Sequence, residues 1–334
     1  MFDLKKPYLL FLGDAPDALA AKTARGIVDF RPDDCVGQLR LDGCSVTLDL
    51  PDLSLEQAHA AGARTLVIGV ANRGGKISES WIEILSKAIE QGFDIAAGLH
   101  SKLADIPALK TLADKHGQQL HDVRHPRGKI TVGSGEKRSG KRILGVGTDC
   151  SCGKMYTAVV LERAMKARGM KATFRATGQT GILVAGDGIS VDAVVADFIS
   201  GATEMIAPAN EDDHWDIVEG QGSLFHPSFA GVSTGLLHGA QPDALVLCHE
   251  PTRTHMRGLP HYPLPSIADC MALNLQTARL TNPAARFVGL SINTKALGEE
   301  EAKTYLKELE DAHNLPATDP YRFGVDAIID RLNA

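Results

Sequence analysis

The chain has 334 residues, 33 of them glycine, a formal charge of −6 and only 5% aromatic residues. That length suits two domains with separate cores, and the acidic balance without any long Lys/Arg run argues against a nucleic-acid partner. Many glycines with few aromatics favour tight strand-to-helix turns over a β-sandwich, and six cysteines, scattered apart from one Cys-x-Cys, suit reduced thiols in a cytoplasmic protein better than a metal knuckle.

In chain order, "YLLFLGDAP" is too short for a signal sequence or a membrane span and reads as a first strand from Tyr8 to Leu12, with a helical stretch from Ala15. "TLVIGV" (Thr65 to Val70) and "DIAAGL" (Asp94 to Leu99) are further strands. Between them "SESWIEILSKAIEQG" carries a Ser78 cap and an apolar stripe through Ile82, Leu85 and Ile89, which predicts a helix. These are βαβ units of a parallel sheet. The turn "GVANRGGKIS" is glycine-rich and basic, so Arg73 and Lys76 are candidate substrate contacts at an anion site. His100, at a strand end, suits a structural hydrogen bond as well as catalysis. No Gly-x-Gly-x-x-Gly occurs here, so no dinucleotide site is assigned.

Through "VRHPRGKITVGSG" and "EKRSGKR" apolar periodicity gives way to Gly, Ser, Lys and Arg, a surface connection. A boundary near Ser139 gives two domains, residues 1–138 and 139–334. A second α/β series follows, with strands in "RILGVG", "KATFRATG", "HWDIVEGQG", "PDALVLCHE" and "ARFVGLSI".

The first strand of this series runs into Gly147, Thr148, Asp149, Cys150, Ser151, Cys152, Gly153 and Lys154, then a helix. Small residues, a helix start and a lysine around one point predict a phosphate cradle. The strict pattern wants Gly at Thr148; "GTD" is the variant of dethiobiotin-synthetase-like proteins. A magnesium-using loop keeps a hydroxyl after Gly-Lys, and here Met155 stands there. Such a loop suits a diphosphate that is held, as in coenzyme A, more than a triphosphate that is cleaved, and no metal is expected.

"DIVEGQGSLFHP" puts Glu219 after an apolar strand, at the edge where open α/β sheets build their sites. That carboxylate can order a water or metal, act as a general base, or merely cap a helix; His226 is a second base candidate. Arg175 and Gln179, in "FRATGQTG", are candidate substrate contacts, whereas Asp192 and Asp197 read as a helix cap and a half-buried helix acid. "CHEPTRTHMRG" gathers His249, Glu250, Arg253, His255 and Arg257 at another strand end; Arg253 is a candidate for carboxylate recognition because guanidinium pairs with carboxylate in two-point fashion. Cys150 and Cys152 are small residues that leave room for phosphate rather than nucleophiles.

As a set, "GTDCSCGKMYTA", "GQTG", "DAVVADF", "EGQGSL" and "CHEPTR" resemble the DgcN-type D-glutamate N-acetyltransferases, over nearly the whole chain from "ANRGGK" and "AAGLH" onward. The resemblance implies an α/β fold of two domains, an N-terminal Rossmann-like parallel sheet and a C-terminal P-loop NTPase-like one. It implies transfer of acetyl from acetyl-CoA to the amine of D-glutamate or a related D-amino acid, in D-amino-acid catabolism. It also makes Met155 a family trait. Expected with it are a small-molecule substrate, no nucleic acid or membrane partner, and a homo-oligomer. An ATP-dependent carboxylase or ligase like dethiobiotin synthetase is the rival reading, favoured by "GTD" and opposed by Met155. A nucleotide-sensing protein without turnover is a third.

Overall fold

The computed structural model describes residues 2–71, 75 and 77–332, so Arg73 and Lys76 lie outside the described residues. The chain forms two compact units. The first runs to Arg127 and also takes Gln179–Ala193; the second holds Gly128–Gly178 and everything from Val194.

In the first unit the strands are β1 (Tyr8–Gly13), β2 (Cys35–Arg40), β3 (Thr65–Ile68), β4 (Asp94–Ala97) and β5 (Leu120–Asp122). All pairs are parallel, in the order β2-β1-β3-β4-β5. Strands β1, β3 and β4 are buried along their whole length, as expected of a sheet covered on both faces. The expected helix spans Glu79–Glu90, with the Ser78 hydroxyl accepting the Trp81 N–H and Trp81, Leu85, Ala88 and Ile89 buried.

In the second unit the strands are β6 (Lys141–Gly147), β7 (Ala172–Arg175), β8 (Trp215–Val218), β9 (Ala244–His249), β10 (Arg286–Ile292) and β11 (Ala317–Thr318). They form a parallel sheet in the order β11-β10-β9-β6-β8-β7. Chain order therefore reverses at β6, flanked by β8 and β9. The carboxyl ends of these three strands open on one crevice, the place where such sheets bind ligands.

The two units do not follow the linear division at Ser139. Residues after Gly128 are exposed yet fastened to the second unit: Ser134 and Gly135 donate backbone N–H groups to the Glu204 carboxylate at 2.9–3.0 Å, and Gln241 donates to Gly135 O at 2.9 Å. The helix Gln179–Ala185 belongs to the first unit, where Ile182, Leu183 and Val184 are buried. There Thr180 bonds Thr23, Arg31 donates to Val184 O, and Asp192 pairs with Arg124. From sequence no helix is assigned here and Gln179 reads only as a candidate substrate contact; the buried Ile182, Leu183 and Val184 make the stretch part of a core.

Among the described residues Arg142 is the largest fully buried side chain. Its guanidinium donates to Ser139 O at 2.8 Å and Arg138 O at 3.2 Å, stitching the connection onto the start of β6, while its backbone N–H donates to the Asp243 carboxylate at 2.9 Å. A buried cation survives only when so surrounded. Arg142→Met, which leaves those carbonyls without their donor, is expected to lower unfolding stability by about 3 kcal/mol, read from the urea midpoint; a change under about 0.5 kcal/mol would remove Arg142 from this role.

Candidate active site

The loop after β6 is built on alternating backbone handedness. Ser151 has φ +52° and Gly153 φ +107°, with Cys152 between them, and the helix Lys154–Ala167 follows. Left-handed residues in alternation turn successive N–H groups to one side, making a concavity for an anion. Among the described residues no acceptor meets the backbone N–H groups of Ser151, Cys152 or Gly153.

The carbonyls of residues 149–151, on the other side of the loop, are engaged. Lys154 Nζ donates to Asp149 O at 2.7 Å and contacts Cys152 Sγ at 3.6 Å. Arg253 donates to Cys150 O at 2.6 Å and Ser151 O at 3.3 Å. Asp149, fully buried, accepts Cys150 N–H on one oxygen at 2.7 Å, and on the other takes Arg253 at 2.6 Å and the Arg257 N–H at 2.8 Å. The Arg257 guanidinium bonds the Ser151 hydroxyl. Gly147 is needed here, since a Cβ would sit 2.7 Å from Cys152 Sγ and 3.0 Å from Lys154 Nζ.

Met155 is half-buried where a hydroxyl would meet magnesium. The nearest hydroxyl on the helix, Thr157, is committed inside: it donates to Gly153 O at 2.9 Å and lies 2.7 Å from Ser291 Oγ. The thiols beside the loop are protonated near neutral pH, because burial pushes Cys150 up to about 11 and Cys248 and Cys270 up to about 12.

Glu219 follows β8 and is 4% exposed. Its carboxylate accepts the N–H groups of Thr177 at 2.9 Å and Gly178 at 3.0 Å. Gly220 lets β8 close on β6, for a Cβ there would fall 1.6 Å from Gly145 O and 2.9 Å from Lys154 Cδ. Glu219 thus emerges beside the loop. His226 is buried with both nitrogens engaged: Ser228 N–H donates to Nδ1 at 3.2 Å, so Nε2 carries the proton and donates to Arg257 O at 3.2 Å. Asp149, Cys150 and His226 bring one potential metal-ligand atom each within 4.8 Å of one another. With an arginine already on the Asp149 carboxylate and both imidazole nitrogens occupied, the trio suits a hydrogen-bonded joint better than a cation.

The other candidates separate. Arg175 turns back along the sheet to the buried Asp216, Nε to Oδ1 2.7 Å. Gln179 lies in the first unit, its Oε1 buried near Gly98 with no hydrogen-bond partner among the described residues. Arg253 is built into the loop. One pair outside the base candidates is fixed by the geometry: His249, at the end of β9, places Nδ1 3.0 Å from the buried Thr148 hydroxyl. The signal for it was the polar run ending an apolar strand; its partner one strand away was not readable.

Family models match the chain in two pieces: residues 129–329 a P-loop domain and residues 39–126 a Rossmann-like domain, both described as domains of unknown function, DUF1611_C and DUF1611_N. The sequence is 58% identical over 331 residues, 99% of both chains, to a D-glutamate N-acetyltransferase of Tritonibacter scottomollicae. It is 51% identical over 329 residues, 98% of this chain and 99% of the relative, to a D-glutamate N-acetyltransferase of a Pseudoalteromonas species. A crystal structure of a DUF1611 family protein from Anabaena variabilis has a TM-score of 0.88 at 32% identity, covering 98% of this chain and 99% of that one.

Burial, and after it the Arg253 cation, push the His249 imidazole down to about 4 from its ordinary 6.5. The unfolded chain therefore binds this proton more readily, and stability from the site is intact above pH 6.5 and lost as pH falls toward 4. Urea titrations at pH 7 and pH 5 should show wild type losing about 2 kcal/mol more than His249→Gln between the two; equal losses would contradict the neutral, buried imidazole.

Proposed function

The chain belongs to the DUF1611 family, and from that premise we propose that it is an N-acetyltransferase moving acetyl from acetyl-CoA to the amine of D-glutamate, as a step in D-amino-acid catabolism. The observation that carries this reading is the likeness, across nearly the full length of both chains, to relatives named for that reaction. The site chemistry agrees with it. A nest of N–H groups with no metal-binding hydroxyl behind it suits a diphosphate that stays intact, as the coenzyme's does.

In the reaction the substrate ammonium loses one proton, the free amine attacks the thioester carbonyl to form the carbon–nitrogen bond, and the carbon–sulfur bond breaks as the nitrogen gives up its second proton, which the departing coenzyme thiolate takes up. We assign the first proton to Glu219. It is the buried carboxylate at the β8 end of the crevice, beside the loop. His226, whose nitrogens are both engaged, is assigned a positioning role on the loop clamp. The setting on this reading is the cytoplasm.

The experiment is to mix the protein with acetyl-CoA and a panel of D- and L-amino acids and follow thiol release; release with D-glutamate is expected, and none with any amine would refute the proposal. Activity should persist in excess chelator, and a loss reversed by magnesium would count against the metal-free reading of the loop. Glu219→Gln keeps an acceptor for Thr177 and Gly178 while removing the charge. It should lower kcat at least about a hundredfold with acetyl-CoA binding retained, whereas near-wild-type turnover returns Glu219 to a purely structural clamp.

A further inference from the structure

Among the exposed large apolar side chains is Tyr321, whose backbone is tied into a buried network. Tyr321 is 68% exposed, and its ring stands 6.3 Å from that of Tyr156, edge-on at 63°. Tyr156 lies two residues after Lys154 on the helix that starts at the loop, about 3 Å along its axis. Tyr321 sits in the short helix Pro320–Phe323, directly after β11 at the carboxyl edge of the second sheet.

A buried network fixes that helix. Asp319, 5% exposed, accepts the Tyr321 N–H at 3.0 Å on one oxygen, and the Thr294 N–H and hydroxyl at 2.9 and 2.7 Å on the other. Arg322 donates to Thr294 O at 3.0 Å and Leu297 O at 3.2 Å. Thr294 follows Asn293, whose N–H donates to His249 O at 2.8 Å. The edge is therefore hydrogen-bonded from the partner of Thr148 to the helix bearing Tyr321. A large ring on a backbone so fixed, left in water with a second ring edge-on beside it, has the make-up of a stacking face, since every nucleobase presents a flat π surface to such a ring.

We propose that Tyr321, backed by Tyr156, is the stacking platform for the purine ring of the coenzyme whose diphosphate the loop holds. This rests on the acetyl-CoA reading above and adds where the base of the donor goes. The phosphate nest supplies charge recognition at one end of the helix start, and the aromatic pair supplies the flat apolar contact that a nest cannot.

The test is calorimetric titration of wild type, Tyr321→Phe and Tyr321→Ala with coenzyme A and with 4′-phosphopantetheine, which lacks the adenosine, its 3′-phosphate and one phosphate of the diphosphate. Tyr321→Ala should weaken coenzyme A about tenfold and leave phosphopantetheine unchanged, while Tyr321→Phe keeps wild-type affinity for both. In turnover, KM for acetyl-CoA should rise with kcat unchanged. Three results would overturn the platform: unaltered coenzyme A affinity in Tyr321→Ala, equal weakening of both ligands, or a fall in molar mass by light scattering with affinity kept, which would make the patch a contact between copies. ADP separates the two proposals. Tyr321-dependent ADP binding in a protein that ignores coenzyme A would uphold the purine platform and reject the donor; full acetyl transfer in Tyr321→Ala with unchanged KM would do the reverse.

Discussion

The buried carboxylate of Asp149 governs the shape of the site. A charge with no solvent contact must be surrounded by donors, and Asp149 has them from three places: its own loop, the Arg253 side chain and the Arg257 backbone. Because Arg253 and Arg257 come from the segment after β9, the loop and that segment form one body. With the carbonyls of residues 149–151 turned toward Lys154 and Arg253, the N–H groups are left to face the other way. The concavity is thus held open by the protein's own hydrogen bonds, as preorganised electrostatic recognition would require.

Close approach of backbone supports the same arrangement. Gly147 admits the lysine and thiol of its own loop, and Gly220 allows the ends of β6 and β8 to meet without a side chain between them. The three elements carrying Lys154, Glu219 and His249 are neighbours because the strand order reverses at β6. Proximity in the site follows from sheet order; in sequence these residues are widely spaced.

Much of this was legible in the amino-acid order. Continuous apolar runs such as "ALVLCH" could only be strands buried on both faces, Ser78 announced its helix, and the loop was identifiable from small residues, glycines and a lysine between strand and helix. What pattern cannot carry is pairing at a distance. Arg175 looked available for a ligand, but its choice of Asp216 depends on a neighbouring strand, and Arg253 was recognised as a carboxylate partner although the carboxylate is the protein's own Asp149. Arg142, in a basic run that reads as solvated surface, is fully buried because backbone carbonyls close around it. No role is read for Asp319 from sequence, yet it caps the helix at Pro320 and also holds the Thr294 hydroxyl.

The passage of Gln179–Ala193 into the first unit bears on how such a gene can change. A chain whose halves follow one another can be cut at the join, and each half inherited, swapped or lost by itself. Here the stretch that buries Ile182, Leu183 and Val184 in the first unit is encoded inside the second. A break anywhere in residues 128–140 strands that piece on the wrong side, leaving one product with uncovered apolar surface and the other with an unpartnered helix. Exchange of whole halves at that join would part the helix from the apolar surface it covers.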